Sequence, residues 1–470
     1  MPSLPTPAPA VLLASSFAFV VVQLDVTIVN VALPRIGLEL GAGVGALQWV
    51  VDAYMLGFAA LLLSAGALGD RFGHRRVLLA GFALFAATSA ACALAPHAPA
   101  LNAARAAQGV AAALLVPSSL ALLRAAYGHD RQRLAAAVAC WTAAGGVAIA
   151  AGPLLGGLLL SVAGWRSVFW VNLPICALGF ALTRALAEAA PAAPPAGTPR
   201  RPFDVAGQLL AIVALVALIG ALIEAQSLGQ SHPLVRGAAL LALLAGAAFV
   251  AVERRSAAPM LPLQLFARPG FAAAVLFGVL LNFAYYGVLF VLSFYLQALR
   301  HFSALQSGLM FLPLTATFIA SNLAGGWMAA RAGAPATMVL GGLIGCTGYA
   351  LLGLLGVSAR AGFLDMLPGL ALIPAGMGLA VPAMTTVILA GVEPRLAGTA
   401  SAVLNAARQV GGAAGVALFG AMAAAGSRVE AIGAVRAAMV WSALLLLLAA
   451  TLAYRCRGGL GAPRPAAQPA

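Results

Sequence analysis

An all-α membrane protein with fourteen transmembrane helices, in two six-helix bundles with a two-helix hairpin inserted between them, is the fold this sequence predicts. Three observations lead there. The 470 residues are 63% hydrophobic and only 8% charged, with a mean hydropathy of +1.02, a balance no ordinary soluble domain carries. The apolar residues gather into runs of about twenty, the length that crosses a lipid bilayer. Short arginine-bearing loops, not polar domains, separate the runs.

The spans read as 12–33, 47–68, 77–95, 100–123, 134–160, 166–186, 204–222, 235–252, 271–298, 307–329, 337–357, 366–389, 397–423 and 435–454. The first is an uncleaved span and not a signal peptide: it is long, lacks a basic leader and carries Asp25 at its middle. Every basic residue is arginine. Seventeen lie in the tail or in loops on the side of the hinge at 66–76, seven lie on the opposite side, and Arg105 and Arg408 fall within spans. The positive-inside tendency then puts the hinge and both termini in the cytoplasm, in a multi-pass protein of the cell's inner membrane.

Composition also excludes. A formal charge of +14 does not signal a nucleic-acid partner, because the arginines sit between apolar spans and form no basic face. Cys92, Cys140, Cys176, Cys346 and Cys456 show no metal-ligand spacing, so no metal is expected and they read as packing residues. The five histidines fall in loops or at span ends, and no G-x-x-x-x-G-K-[ST] occurs. An enzyme and a bound cofactor are therefore not expected, and an ion gradient rather than ATP supplies the drive.

Between spans two and three runs Gly66-Ala-Leu-Gly-Asp70-Arg71-Phe-Gly73-His-Arg75-Arg76, a charged hinge short enough to force antiparallel helices, with Gly66 and Gly73 permitting the turn. A weaker copy, Gly326-Trp-Met-Ala-Ala-Arg331-Ala-Gly333, recurs in the second half with Ala330 in place of the acid. Arg133-Leu134-Ala135 and Arg395-Leu396-Ala397 likewise open glycine-rich spans in each half. Spans 1–6 and 9–14 are thus the repeats and spans 7–8 the insert. The expected units are an N-terminal bundle over 1–186, a Pro/Ala-rich cytoplasmic linker over 187–203, the inserted pair over 204–270, a C-terminal bundle over 271–455 and a tail over 456–470. Any substrate site is expected near mid-membrane, where the repeats meet.

Charges inside spans cost about 2.5–3.5 kcal/mol on insertion scales, so each needs a cavity or a partner. Asp25 in span one and Arg105 in span four lie at depths that allow contact. They are either an ion pair that locks two helices or a proton site whose carboxylate responds to Arg105. Asp52, in the outer half of span two, is open to a proton or to a cationic substrate. Arg408 lies near mid-bilayer with no acidic residue in the apolar runs of the second half; its partner is a carbonyl, a polar side chain or a substrate anion. Asn282, Tyr286, Ser293 and Gln297 form one polar stripe on span nine, and Gln23, Thr27 and Asn30 share a face of span one. Aromatic residues beside the stripe suit a lipophilic molecule better than a sugar. Gly145, Gly152 and Gly156 fall near one face of span five with Pro153 beside them, which predicts a close, bent helix contact that seals the bundles against leakage.

Several of these stretches also resemble a known family. The hinge pattern is similar to the loop between spans two and three of the major facilitator superfamily, where it acts as a cytoplasmic latch; here Gly66, Asp70, Arg71, Gly73, Arg75 and Arg76 match, and His74 stands where a basic residue is usual. Leu24-Asp25-Val-Thr27-Ile-Val-Asn30-Val-Ala-Leu-Pro34 resembles the first-span signature of its fourteen-span drug:proton antiporters. Arg105-Ala-Ala-Gln108-Gly109 resembles the fourth-span motif whose arginine is implicated in proton transfer, and Gly152-Pro153-Leu-Leu-Gly156-Gly157 the fifth-span antiporter motif. Trp165, Arg166, Phe169, Asn172 and Pro174 continue the likeness, as do Asn405, Arg408, Gln409, Gly411 and Gly412 in span thirteen. The resemblance implies the major facilitator fold and a proton-coupled efflux antiporter for lipophilic drugs or metabolites. Together with the reading of depth and helical spacing, it gives Asp25, Arg105 and Asp52 for coupling, and Gln23, Thr27, Asn30, Gln108, Asn282, Tyr286, Ser293, Gln297, Asn405 and Arg408 for the substrate cavity. A narrow-substrate exporter, a uniporter or symporter of the same fold, and a non-transporting receptor are the rival readings.

Overall fold

Within a bilayer each backbone N–H and C=O must be satisfied by its own segment, so these apolar runs have only the helix open to them. The computed structural model describes residues 8–128, 130–186, 204–256, 259, 261, 263–358, 360–392, 396–423 and 428–455, and they form helices throughout with no strand among them. In order these are α1 (Ala8–Leu40), α2 (Val44–Phe72), α3 (His74–Leu94), α4 (Ala98–Tyr127), α5 (Arg131–Ala163), α6 (Ser167–Trp170), α7 (Asn172–Ala185), α8 (Val205–Ser227) and α9 (Pro233–Arg255). The second half follows with α10 (Pro269–Phe294), α11 (Ala304–Met310), α12 (Leu312–Ala332), α13 (Ala334–Leu351), α14 (Phe363–Ala390), α15 (Ala397–Ala423) and α16 (Arg428–Arg455). The linker at 187–203, the tail at 456–470 and Cys456 lie outside the described residues.

Two expected spans are each broken in two. Span six divides into α6 and α7 at Val171, and span ten into α11 and α12 at Phe311. In each case a proline follows two or three residues later, Pro174 or Pro313. Its missing N–H and bulky ring disrupt the preceding turn, so the helix restarts there. Counting each broken pair as one, thirteen of the described helices are long and apolar enough to cross a membrane. The remaining long helix, α15, has 27 residues, and Asn405, Arg408 and Gln409 near its middle lower its apolar character.

The repeat suggested by the hinges is repeated in the packing. In the first bundle α1 lies on α5, α2 on α4, and α3 on α4 and α7; in the second α10 lies on α15, α12 on α14, and α13 on α14 and α16. Both hinges turn on a glycine of the same unusual conformation, Gly73 at φ 91° and Gly333 at φ 89°, a region costly for any residue with a Cβ. The inserted hairpin packs through α8, which touches α2 of one bundle and α15 of the other, while α9 leans on α8.

The bundles meet along α1, α2 and α5 on one side and α10, α11, α12 and α15 on the other. In the half of the molecule away from the hinges the seam is closed. Gln48 Nε2 donates to the carbonyls of Val416 (3.1 Å) and Ala417 (2.6 Å), and Gln297 Nε2 donates to Val31 O at 3.0 Å. Here the glycines of α5 divide their work differently from the expected single sealing face. Gly152 and Gly156, one turn apart, press on Thr27 and Ile28 of α1 within their own bundle, whereas a Cβ on Gly157 would meet Ala304 O of the other bundle at 2.6 Å. One residue rotates a helix by about 100°, which carries Gly157 off the α1 face and onto α11. Gly308 completes that contact, its Cβ position lying 2.6 Å from Pro153 O.

Candidate polar core and substrate seam

Asp25 sits at the centre of a buried polar lattice built from four helices. Arg105 Nη1 on α4 donates to Asp25 Oδ2 in a salt bridge whose side chains are 1% and 0% exposed. Asp25 Oδ1 accepts from Gln108 Nε2 at 3.0 Å and from Asn172 Nδ2, at the start of α7, at 2.8 Å. Both amides also reach Ser89 Oγ on α3, at 3.3 and 2.9 Å, and Ser89 donates onward to Phe169 O. A carboxylate holding a cation and two neutral donors has most of its acceptor capacity filled, the condition under which a buried charge is tolerated.

Arg105 is held from three further directions. Its Nε donates to Val50 O on α2 at 2.9 Å, its Nη1 to Gln108 Oε1 at 2.8 Å, and its guanidinium lies 4.3 Å from the Tyr54 ring centroid. Gln108, expected in the substrate cavity, is therefore engaged in this lattice. Gln108 follows Arg105 by one turn of α4, which brings both to the same face. Asn172 matters more than its place in the family pattern suggested, and Ser89 had no signal in the sequence at all. A serine in an apolar helix ordinarily bonds a carbonyl of its own previous turn.

Asp52, two residues beyond Val50 on α2, contrasts with Asp25. It is fully buried and neither carboxyl oxygen has a donor. The expected cavity residues divide similarly. Thr27, Asn30, Asn282, Ser293 and Asn405 each donate to a carbonyl three or four residues back on their own helix, and Gln297 is drawn into the bundle seam. Tyr286 lies against Gly412, whose Cβ position is 2.9 Å from the ring, with Met55 Sδ of α2 at 3.2 Å from the same point. That places Tyr286 and the middle of α15 at the junction of the two bundles. Arg408, one turn before Gly412, is partly buried, and its Nε is sealed without an acceptor.

Asp70, His74 and Arg75 of the hinge make contacts within the first bundle. His74 Nε2 lies 3.2 Å from Asp70 Oδ1, and Arg75 donates to Thr183 O (3.1 Å) and Arg184 O (2.7 Å) at the end of α7. Arginine thus ties the hinge to the sixth span, and the acid pairs with the one hinge residue that departs from the family pattern. No group of three or more metal-ligating side chains occurs among the described residues.

With this geometry in place, comparison with known proteins is direct. The sequence profile of the Major Facilitator Superfamily matches residues 15–416. The chain is 38% identical over 459 residues to the methylenomycin A resistance protein of Streptomyces coelicolor, covering 97% of this chain and 92% of that protein. It is 38% identical over 414 residues to the multidrug resistance protein Stp of Mycobacterium tuberculosis, covering 88% and 75%. Its fold matches the xylose transporter XylE of E. coli with a TM-score of 0.64 at 16% identity, over 96% of each chain. The matched profile, the relatives and the paired six-helix bundles agree: this chain belongs to the major facilitator superfamily, among its drug-efflux transporters.

Proposed function

We propose that this chain exports lipophilic small molecules across the cytoplasmic membrane in exchange for protons, with the hinges and both termini on the cytoplasmic side. The observation that carries the reading is the Asp25–Arg105 pair, because it connects a titratable carboxylate to the surface on which the bundles meet. Arg105 holds Asp25 of α1 with one nitrogen and Val50 O of α2 with another. The same helix α2 reaches α15 through Gln48 and Met55. A proton on Asp25 removes the charge that fixes Arg105, and the loosened arginine changes what holds α2 against the second bundle. Asp52 is a second proton carrier on α2: an unpartnered buried carboxylate is costly, and a bound proton removes its charge.

The two bundles, over 1–186 and 271–455, act as the moving bodies of an alternating-access cycle. The state described here has its seam closed at the outer end by Gln48, Gln297 and the Gly157–Gly308 contact. The resistance functions named for the relatives support a drug or antibiotic-like cargo, and the apolar, aromatic lining of α10 suits one. The test is efflux of the neutral dye Nile red from energised cells expressing the protein. The expected result is efflux that a protonophore abolishes and that Asp25→Asn lacks. Efflux that persists unchanged with the proton gradient collapsed overturns the coupling.

A further inference from the structure

Arg408 is a cation in the middle of a membrane helix, and among the described residues no acid answers its charge. It lies eleven residues into α15, about 17 Å along a helix that must cross a core of about 30 Å. Such a charge persists only when it faces a partner or a functional cavity. Among the described residues of α10 to α16 the acids are Asp365 and Glu430, each in the first turn of its helix and so at a membrane boundary. The acid on the facing helix, Asp52, does not supply the missing charge, since neither of its oxygens receives a donor. Arg408 Nε is enclosed with no acceptor.

The surroundings are shaped around this arginine. Gly278 leaves room for its stem, a Cβ there falling 3.2 Å from Arg408 Cγ. One turn further along α15, Gly412 leaves room for the Tyr286 ring. Arg408 and Tyr286 thus share the junction of α2, α10 and α15, with Tyr285 stacked edge-on to Tyr286 at 5.3 Å and Phe283 against Phe419 at 5.2 Å along the same helices. A planar guanidinium with free donors binds a carboxylate through two parallel hydrogen bonds. A phenol beside it adds a third donor, and the aromatic walls take an apolar body.

We propose that Arg408, assisted by Tyr286, binds the acid group of the exported molecule, so that the site takes lipophilic carboxylates. This deepens the efflux reading and rests on it for the word exported, but the site itself is tested without transport. Three probes share one ring system and differ in charge: 2-naphthoate, 2-naphthamide and 2-naphthylmethylammonium. Their binding to the full-length protein in detergent is measured by titration calorimetry. The wild type is expected to bind the acid about tenfold or more tighter than the amide, and the ammonium weakest. Arg408→Gln abolishes the preference, Arg408→Lys retains part of it as a point charge without the fork, and Tyr286→Phe weakens the acid several-fold while leaving the amide unchanged. An unaltered elution profile shows that each variant is folded. A wild type that binds the acid no better than the amide, or binds neither, overturns the proposal, as does an Arg408→Gln variant that keeps the preference. Because no gradient is involved, Nile red efflux that survives collapse of the proton gradient overturns the coupling without touching this result, and a wild type without the acid preference overturns the carboxylate site without touching the coupling.

Discussion

Removing Arg105 tests how strongly the polar lattice depends on its charges. Arg105→Ala deprives Asp25 of its cation and Val50 O of a donor. Breaking a buried pair by deleting one partner costs about 3–5 kcal/mol. Two neutral donors to Asp25 Oδ1 remain, Gln108 and Asn172, which holds the loss near the lower end, while the vacated Val50 carbonyl adds about 1 kcal/mol; the sum is about 4 kcal/mol. Asp25→Asn keeps the shape and leaves Arg105 bonded to Val50 O and Gln108 Oε1, so its cost is smaller, about 2–3 kcal/mol. The double variant buries no unpaired charge and is expected to be about 2 kcal/mol or more stabler than the sum of the single losses. Unfolding of the four proteins by sodium dodecyl sulfate in mixed micelles, followed by tryptophan fluorescence, measures the cycle. Additivity within about 0.5 kcal/mol would show that the two side chains do not act as a pair and would remove the basis for coupling through them.

Other parts of the molecule give sharper single tests. Asp52→Asn breaks no hydrogen bond in this state, so it should leave stability within about 1 kcal/mol while abolishing protonophore-sensitive Nile red efflux; a large loss of stability would show that Asp52 has a structural partner. Gly157→Leu forces a side chain into Ala304 O and should reduce efflux at least about tenfold with normal expression, because the outer seam no longer closes. Gly73→Ala places a Cβ at φ 91° and should lower stability by about 1–3 kcal/mol, measured in the same detergent titration.

The fold was legible because a bilayer leaves so few choices. Span length and the two glycine hinges suffice for a two-bundle arrangement of about fourteen spans with a hairpin between. The Asp25–Arg105 pair was legible for the same reason, since charges in apolar runs are rare and their depths are countable. Its completion was not. Ser89 and Asn172 join Asp25 only after α3 and α7 pack beside α1; nothing near Ser89 distinguishes it from a helix-bonded serine, and Asn172 stood out only as one member of the family pattern, with no sign of its partner. The glycines of α5 show a related limit: spacing identified Gly152 and Gly156 as one face, but not that the face turns inward to α1 while Gly157 alone meets the other bundle. The breaks at Val171 and Phe311 were not legible from Pro174 and Pro313, because Pro117, Pro153 and Pro382 lie inside helices that continue.

The inserted hairpin has a consequence for where cargo can leave. Two bundles that rock against each other expose two long fissures to the lipid, and an oily molecule in transit has every reason to slip sideways through either. Along one fissure α8 lies on α2 and α15 together, anchored to α2 by Gln208, which donates to Ala60 O and accepts from Ser64. A helix fastened to one lip and resting on the other is placed as a weatherstrip is: were the bundles to rock, the bonded side would carry it and the fissure would stay covered as the opposite lip slid beneath it. Sideways escape is then confined to the opposite fissure, where α5 faces α11 and α12 and the Gly157–Gly308 contact closes one end in this state, so the hairpin leaves an otherwise two-sided machine one flank that only the bundles themselves can shut.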